Sequence, residues 1–172
     1  MDPPLLLPVP AGLITCQAVM AYDASARGAL LALKNRGQRA RVTGLAHDMA
    51  LLVPAVEGLV VTWAPTGPGR RRDRGYDQAE LLARAVARRR GLPVLSLLRR
   101  RPGPAQAGRS LAQRQANPRF AARRSCRRPV LVIDDVATSG ATLSAAARAL
   151  REAGVPEVHG LVVARALPPH PR

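Results

Sequence analysis

The sequence predicts an α/β fold, a mainly parallel sheet flanked by helices, and three observations carry that prediction. Val130 to Ile133 is a continuous apolar run and Val158 to Val163 a mostly apolar one, as expected of strands buried on both faces. Between them Leu143, Ala146, Ala147 and Leu150 repeat at helical spacing until Gly154 stops the pattern. Strand, turn, helix and strand in that order is the alternation from which parallel sheets are assembled. The 172 residues suffice for one hydrophobic core, and a 47% hydrophobic share with only 2% aromatic residues makes it an aliphatic core of Ala, Val and Leu.

Along the chain, residues 1–20 are proline-rich and without clear period, so they read as a poorly ordered tail, and residues 21–172 as a single domain. Ala29, Leu30 and Leu33 mark a helix ending near Asn35 and Gly37, and Leu45, Met49, Leu52 and Val53 mark a second before Pro54. Gly58 to Trp63 reads as a short strand running into Ala64-Pro65-Thr66-Gly67-Pro68-Gly69, where proline and glycine end regular structure. Ala79 to Arg90 has the pattern of a surface helix closed by Gly91. Val94 to Leu98 could form a brief strand, and Arg99 to Arg128 reads as a long mobile excursion with a helical turn near Ser110 to Gln115.

The net charge of +16 comes almost wholly from arginine, Lys34 being the single lysine, and favours phosphate-rich partners such as nucleotides, pyrophosphate or a nucleic-acid backbone. Cys16 and Cys126 lack partners at metal-binding spacing, which argues against a zinc ribbon or a disulfide framework and for a reducing compartment. The opening MDPPLLLPVPAG has no basic region and is broken by prolines, unlike a secretory signal. No apolar run approaches the ~20 residues needed to span a bilayer. A soluble, cytoplasmic protein without membrane insertion is the expectation.

The chemistry is concentrated after the strand at 130–133. Ligands of open α/β sheets sit beyond the carboxyl ends of the strands, so Asp134 and Asp135 should point into a site. Paired carboxylates there are costly without partners, and ribose hydroxyls would suit them. Ala137, Thr138, Ser139, Gly140, Ala141 and Thr142 then supply hydroxyls, a glycine and free amides where a helix begins, which makes a phosphate cradle. A side chain at Gly140 would fill the ligand's space or demand an unfavourable φ. Carboxylates followed by a phosphate cradle match a ribose bearing a 5'-phosphate. His47, His159 and His170 are isolated, and surface or packing roles are expected for them.

The stretch VLVIDDVATSGAT, residues 130–142, resembles the phosphoribosyl-pyrophosphate binding motif of type I phosphoribosyltransferases. From Tyr22 onward the chain is also similar to the ComF family of competence-associated phosphoribosyltransferase-like proteins. That likeness rests on Arg74-Gly75-Tyr76-Asp77-Gln78-Ala79-Glu80-Leu81-Leu82-Ala83, with Leu33-Lys34, Gln106, Arg114, Asn117 and Phe120 in the family's order. Asp77 stands where the family usually has Asn, Gly103 where Thr is common, and the amino-terminal four-cysteine zinc ribbon of many members is lacking.

The resemblance implies a type I phosphoribosyltransferase-like fold, with a small variable hood from residues 22–54 and parts of 99–120. It implies Asp134 and Asp135 on the ribose 2'- and 3'-hydroxyls, residues 137–142 on the 5'-phosphate, and Ala64-Pro65-Thr66 as the pyrophosphate loop. Arg74 would receive the departing pyrophosphate, Tyr76 and Gln78 are candidate loop contacts, and magnesium would be held through the ligand with no direct protein ligand. The implied activity is glycosyl transfer in nucleotide metabolism, moving a phosphoribosyl group to or from a nitrogenous base. The alternative is a module that senses phosphoribosyl pyrophosphate and holds single-stranded DNA during competence and DNA uptake. Neither the acceptor nor the oligomeric state is legible in these residues.

Overall fold

Mostly apolar stretches occur at 60–63 (VVTW), 130–133 (VLVI) and 158–163 (VHGLVV), and each lies buried within a strand. The computed structural model describes residues 9–23, 28, 39–67, 75–101 and 119–166. In chain order the elements are β1 (Thr15–Ala21), α1 (Arg39–Leu51), β2 (Val60–Trp63), α2 (Gln78–Arg90), β3 (Leu98–Arg101), β4 (Arg119–Ala122), β5 (Val130–Ala137), α3 (Ala141–Glu152) and β6 (Val158–Arg165). The main sheet has the order β1-β6-β5-β2 with every neighbouring pair parallel, so the expected parallel sheet flanked by helices is what forms.

Alternation along the strands divides the core into two layers. Val61, Trp63, Leu131, Ile133, Leu161 and Val163 face α1 and α2, where Met49, Leu82 and Val86 complete the packing. Val130, Val132, Val158 and Val162 face the other way, against Leu143, Ala146 and Leu150 of α3 and against Leu97, Leu98 and Phe120. Gly91 ends α2 in the left-handed conformation, at φ 63°, donating its N–H to the Ala87 carbonyl, which is the stop that its position after Arg90 predicts.

Several expectations need correction. The stretch 1–20 is not wholly a tail, because Thr15–Ala21 forms β1 and pairs with β6 from Thr15↔His159 to Ala21↔Arg165. Its amides gain partners only from that distant strand, so no local pattern announces it. Val94 makes a single parallel bridge to Val61, and the strand that follows starts at Leu98. The excursion 99–128 is structured at both ends, since β3 and β4 pair antiparallel from Leu98↔Ala122 to Arg101↔Arg119. Phe120 and Leu98 drive this by burying themselves beside α3.

Within the expected hood, residues 39–51 are helix α1, and Ala46 and Met49 are fully buried within the core. The helix expected from Ala29 to Asn35, the turn near 110–115 and residues 102–118 lie outside the described residues. His159 has the packing role: it is buried in β6 and hydrogen bonded through Nδ1 to Thr15 Oγ1 at 2.9 Å. Burial, partly offset by Glu157, holds its pKa below the usual histidine value. Both cysteines are free, Cys16 buried and Cys126 half-buried. Among the described residues no helix is long and apolar enough to cross a membrane.

Candidate functional site

β5 is a central strand, and its two neighbours are reached in opposite directions. From β5 the chain runs through α3 to β6 on one side. From β2, on the other side, it runs through α2 to Val94, which bridges Val61 on the edge away from β5. Helix α2 lies on one face of the sheet and α3 on the other. The gap between the carboxyl ends of β2 and β5 is therefore the topological switch point, the crevice where open α/β sheets place their ligands.

The first wall of that crevice is the segment after β2. Trp63 is the last residue of β2, and Ala64 continues the ladder by donating its N–H to the Ile133 carbonyl at 2.9 Å. Pro65, Thr66 and Gly67 then turn away half-buried. Thr66 is tied down by Asp77: its N–H donates to Asp77 Oδ2 at 2.8 Å and its hydroxyl to Asp77 Oδ1 at 3.0 Å. Asp77 also caps α2, accepting from the Ala79 N–H at 3.1 Å, and is 4% exposed. A side chain on Gly67 would meet Arg100 of β3, whose Nε lies 3.8 Å from that point. Arg100 is itself laid over the Phe120 ring at 5.9 Å.

The second wall is β5. It does not stop at Ile133, as the run of apolar residues suggests, but continues to Ala137 because β6 goes on pairing with it as far as Ala137↔Arg165. Beside β2 the pairing ends at Trp63↔Ile133, so Asp134 and Asp135 still occupy the first unpaired positions on the crevice side. Both are half-buried. Each carboxylate accepts from the following amide, Asp135 N–H to Asp134 Oδ1 at 2.9 Å and Val136 N–H to Asp135 Oδ1 at 2.8 Å. Burial first, then the neighbouring Asp135 carboxylate, with a smaller push from Asp77, raise the Asp134 carboxyl well above the ordinary carboxylate range.

The cradle follows. Val136 to Leu143 line a cavity of about 130 Å³ with Thr138 and Ser139 exposed at its mouth. Gly140 precedes α3 at φ 74° and has no side chain to cap it, and Ser139 Oγ accepts from the Ala141 N–H at 3.4 Å, so the amides after Ala141 and the positive end of the helix dipole are what the first turn offers to the cavity. Of the two expectations for a side chain at Gly140 the unfavourable φ holds, while the space is corrected: a Cβ would lie 2.8 Å from Pro10 Cγ and 3.0 Å from Pro10 Cβ, where the amino-terminal segment already sits. At the end of β6, Arg165 is 7% exposed beside this edge.

The structure thus brings together Ala64, Pro65 and Thr66, Asp134 and Asp135, and residues 137–142. Tyr76 and Gln78 instead line a small cleft with Val42, Leu81 and Leu82, on the side of α2 that meets α1. Arg74 lies outside the described residues, as do Arg70, Arg71 and Arg72. Sequence reasoning missed the roles of Asp77, Arg100 and Pro10. A signal existed for the first: Asp77 followed three residues later by Glu80 is a capping-box spacing. Nothing local marks the other two, whose partners are 33 and 130 residues away in the sequence.

No protein-family model matches the chain, and no curated protein sequence matches it significantly. Solved structures do. The allosteric regulatory enzyme of purine biosynthesis overlaps 70% of this chain at 27% identity and a TM-score of 0.48, and the glutamine phosphoribosylpyrophosphate amidotransferase of B. subtilis overlaps 70% at 24% and 0.45. The chain spans 25% of the length of each. The adenine phosphoribosyltransferase of Thermoanaerobacter pseudethanolicus overlaps 74% of this chain and 82% of its own at 13% identity and 0.47. With every one of these scores below 0.5, the functional reading rests on the strand ends themselves.

Proposed function

We propose that this chain is a type I phosphoribosyltransferase-like protein of the ComF kind that binds phosphoribosyl pyrophosphate at the switch point and transfers its phosphoribosyl group to or from a nitrogen acceptor. One observation carries the reading: on a single crevice, adjacent carboxylates at 134–135 are followed by a glycine-led helix start lining a cavity of about 130 Å³. A ribose 5-phosphate has that polarity, hydroxyls at one end and a dianion at the other. The loop at 64–67, across the crevice from β5, is then placed for the pyrophosphate on the anomeric carbon, with Arg100 as the described cation beside it.

In the transfer, the bond from the anomeric carbon to the pyrophosphate oxygen breaks and the electron pair leaves with pyrophosphate. A bond from the same carbon to the acceptor nitrogen forms, and that nitrogen gives up a proton. The sugar would pass through a cation-like state, which the carboxylate charge of the Asp134 and Asp135 pair stabilises, while Arg100 and the Gly67 amide receive the departing anion. No group of three or more His, Cys, Asp or Glu able to hold a metal exists among the described residues. Magnesium would be held through the bound ligand's oxygens, keeping several waters and taking no direct protein ligand. It would supply neutralisation of the leaving group.

A second reading is favoured by the distribution of charge. Leu81 to Ile133 holds fourteen arginines and no acid, so this segment carries +14 of the net +16. A protein that senses phosphoribosyl pyrophosphate in the same crevice could hold single-stranded DNA along that basic segment.

The test is calorimetric titration with phosphoribosyl pyrophosphate, with and without magnesium, followed by a screen of bases for pyrophosphate release. Turnover supports the enzyme, and binding without turnover moves the case to the sensing module. Absence of any binding refutes both.

A further inference from the structure

Asp77 is a buried carboxylate with three acceptor contacts, two of them to the same residue of the loop at 64–67. The third fixes it at the head of α2. A carboxylate has two oxygens that can only accept, so it meets the Thr66 N–H, the Thr66 hydroxyl and the Ala79 N–H together. An amide at 77 would offer a single acceptor oxygen and turn an NH2 toward at least one of those donors. The consequence for Thr66 is direct. Both of its donors are directed back to Asp77, away from any ligand in the crevice. The expected role of Thr66 as a pyrophosphate contact therefore does not agree with where its donors point.

Resting on the phosphoribosyl reading of the site, we propose that Asp77 is a positioning residue: it anchors the loop through Thr66, so that Gly67 and Arg100 rather than Thr66 present to the pyrophosphate. Gly67 suits that task because it has no side chain to stand between the loop backbone and Arg100. The opposite case is also physical. If Thr66 were the ligand's contact, Asp77 would be its competitor, occupying the donors and adding negative charge where an anion must bind. The two cases predict effects of opposite sign.

The experiment compares wild type, Asp77→Asn, Asp77→Ala and Thr66→Val for binding of phosphoribosyl pyrophosphate and of ribose 5-phosphate, which lacks the pyrophosphate. With an anchor, Asp77→Ala weakens the first ligand about tenfold or more, the worth of one charge-assisted hydrogen bond. Ribose 5-phosphate should change less than twofold, and Asp77→Asn, retaining one acceptor, should fall between. Equal loss for both ligands would reduce Asp77 to a helix cap, and tighter binding of phosphoribosyl pyrophosphate by Asp77→Asn would make it a competitor. Either result overturns the proposal. Hydrogen exchange at the Thr66 amide, read without ligand, tests the anchor separately. Faster exchange in Asp77→Ala is expected, and unchanged protection refutes the anchor. If wild type binds neither ligand, the phosphoribosyl reading falls, and the proposal's ligand half with it, while the exchange result still decides whether Asp77 holds the loop.

Discussion

Gly140→Ala should destabilise the fold through the amino-terminal segment, far more than an exposed loop position would allow. Two costs combine. At φ 74° an alanine pays the left-handed penalty, about 1–3 kcal/mol for a non-glycine residue held in a sparsely populated region. Its Cβ would also stand 2.8 Å and 3.0 Å from Pro10 Cγ and Cβ, so a buried proline must shift, and overpacking of this kind costs about 1–3 kcal/mol. Their combined central figure of about 4 kcal/mol corresponds to a midpoint about 8–16 °C lower for a domain of this size. The assay is a thermal-melting cycle of wild type, Gly140→Ala, Pro10→Gly and the double variant. Pro10→Gly removes both clashing atoms, leaving the Cα at 3.9 Å, so the second substitution should cost only the φ term in that background. The expected coupling is the overpacking cost itself, about 1–3 kcal/mol. A single variant melting within about 2 °C of wild type, or an identical loss in both backgrounds, would refute the reasoning.

Other expectations follow from the same crevice. Because burial and Asp135 raise Asp134 in the folded state, the native protein binds a proton that the unfolded chain releases above its ordinary value near 3.8. Stability from this group is complete below that pH and lost as pH rises through the folded value, so Asp134→Asn should melt above wild type at pH 8 and converge with it toward pH 3.5. His159 acts in the opposite sense: its pKa is lowered from 6.5, so the unfolded chain takes up the proton first and stability falls as pH drops through that value. His159→Gln should flatten the acid side of the melting profile, and an unchanged slope would put the titration elsewhere. Arg100→Ala should weaken phosphoribosyl pyrophosphate about tenfold or more with ribose 5-phosphate nearly unaffected, as loss of one charged hydrogen bond predicts, measured by titration calorimetry.

The unit β5, α3 and β6 was legible because each element announces itself locally: an unbroken apolar run, a helical repeat, a glycine stop. The strand β1 was not, because TCQAVMA alternates poorly and carries Thr15 and Gln17 in positions that only β6 explains. The pair β3 and β4 was hidden for a related reason. LRRR and RFAA look like solvent-exposed excursion, and their order depends on Leu98 and Phe120 finding α3. For the candidate site, the motif singled out 134–142 but misjudged where β5 ends. A strand's last residue is set by how far its neighbours go on pairing, and β6 extends four residues past the point where β2 has stopped. Asp77 shows the same limit, since its capping role is local but its grip on Thr66 is tertiary.

The charge distribution gives the crevice a direction. Asp77, Asp134 and Asp135 gather near the carboxyl ends of β2 and β5, close enough that Asp77 and Asp135 both raise Asp134. Beyond the loop at 64–67 lies Arg100, in a pair of strands where Arg101 faces Arg119 directly. Like charges opposed across an antiparallel pair are unfavourable unless an anion or solvent screens them. Negative field over the sheet ends and positive field over the hairpin would repel a simple polyanion from the first and a simple cation from the second. A molecule that spans both must place hydroxyls or a developing positive centre against the acids and phosphates against the arginines. The ribose and pyrophosphate of phosphoribosyl pyrophosphate would do so, its 5'-phosphate resting on the amides at the start of α3, and double-stranded DNA, uniformly anionic, would not. Free pyrophosphate, which satisfies only the basic side, should therefore bind more weakly than phosphoribosyl pyrophosphate, and the gap should narrow in Asp134→Asn/Asp135→Asn. If the double variant discriminates as well as wild type, the acids do not read the sugar and the polarity of the crevice has another purpose.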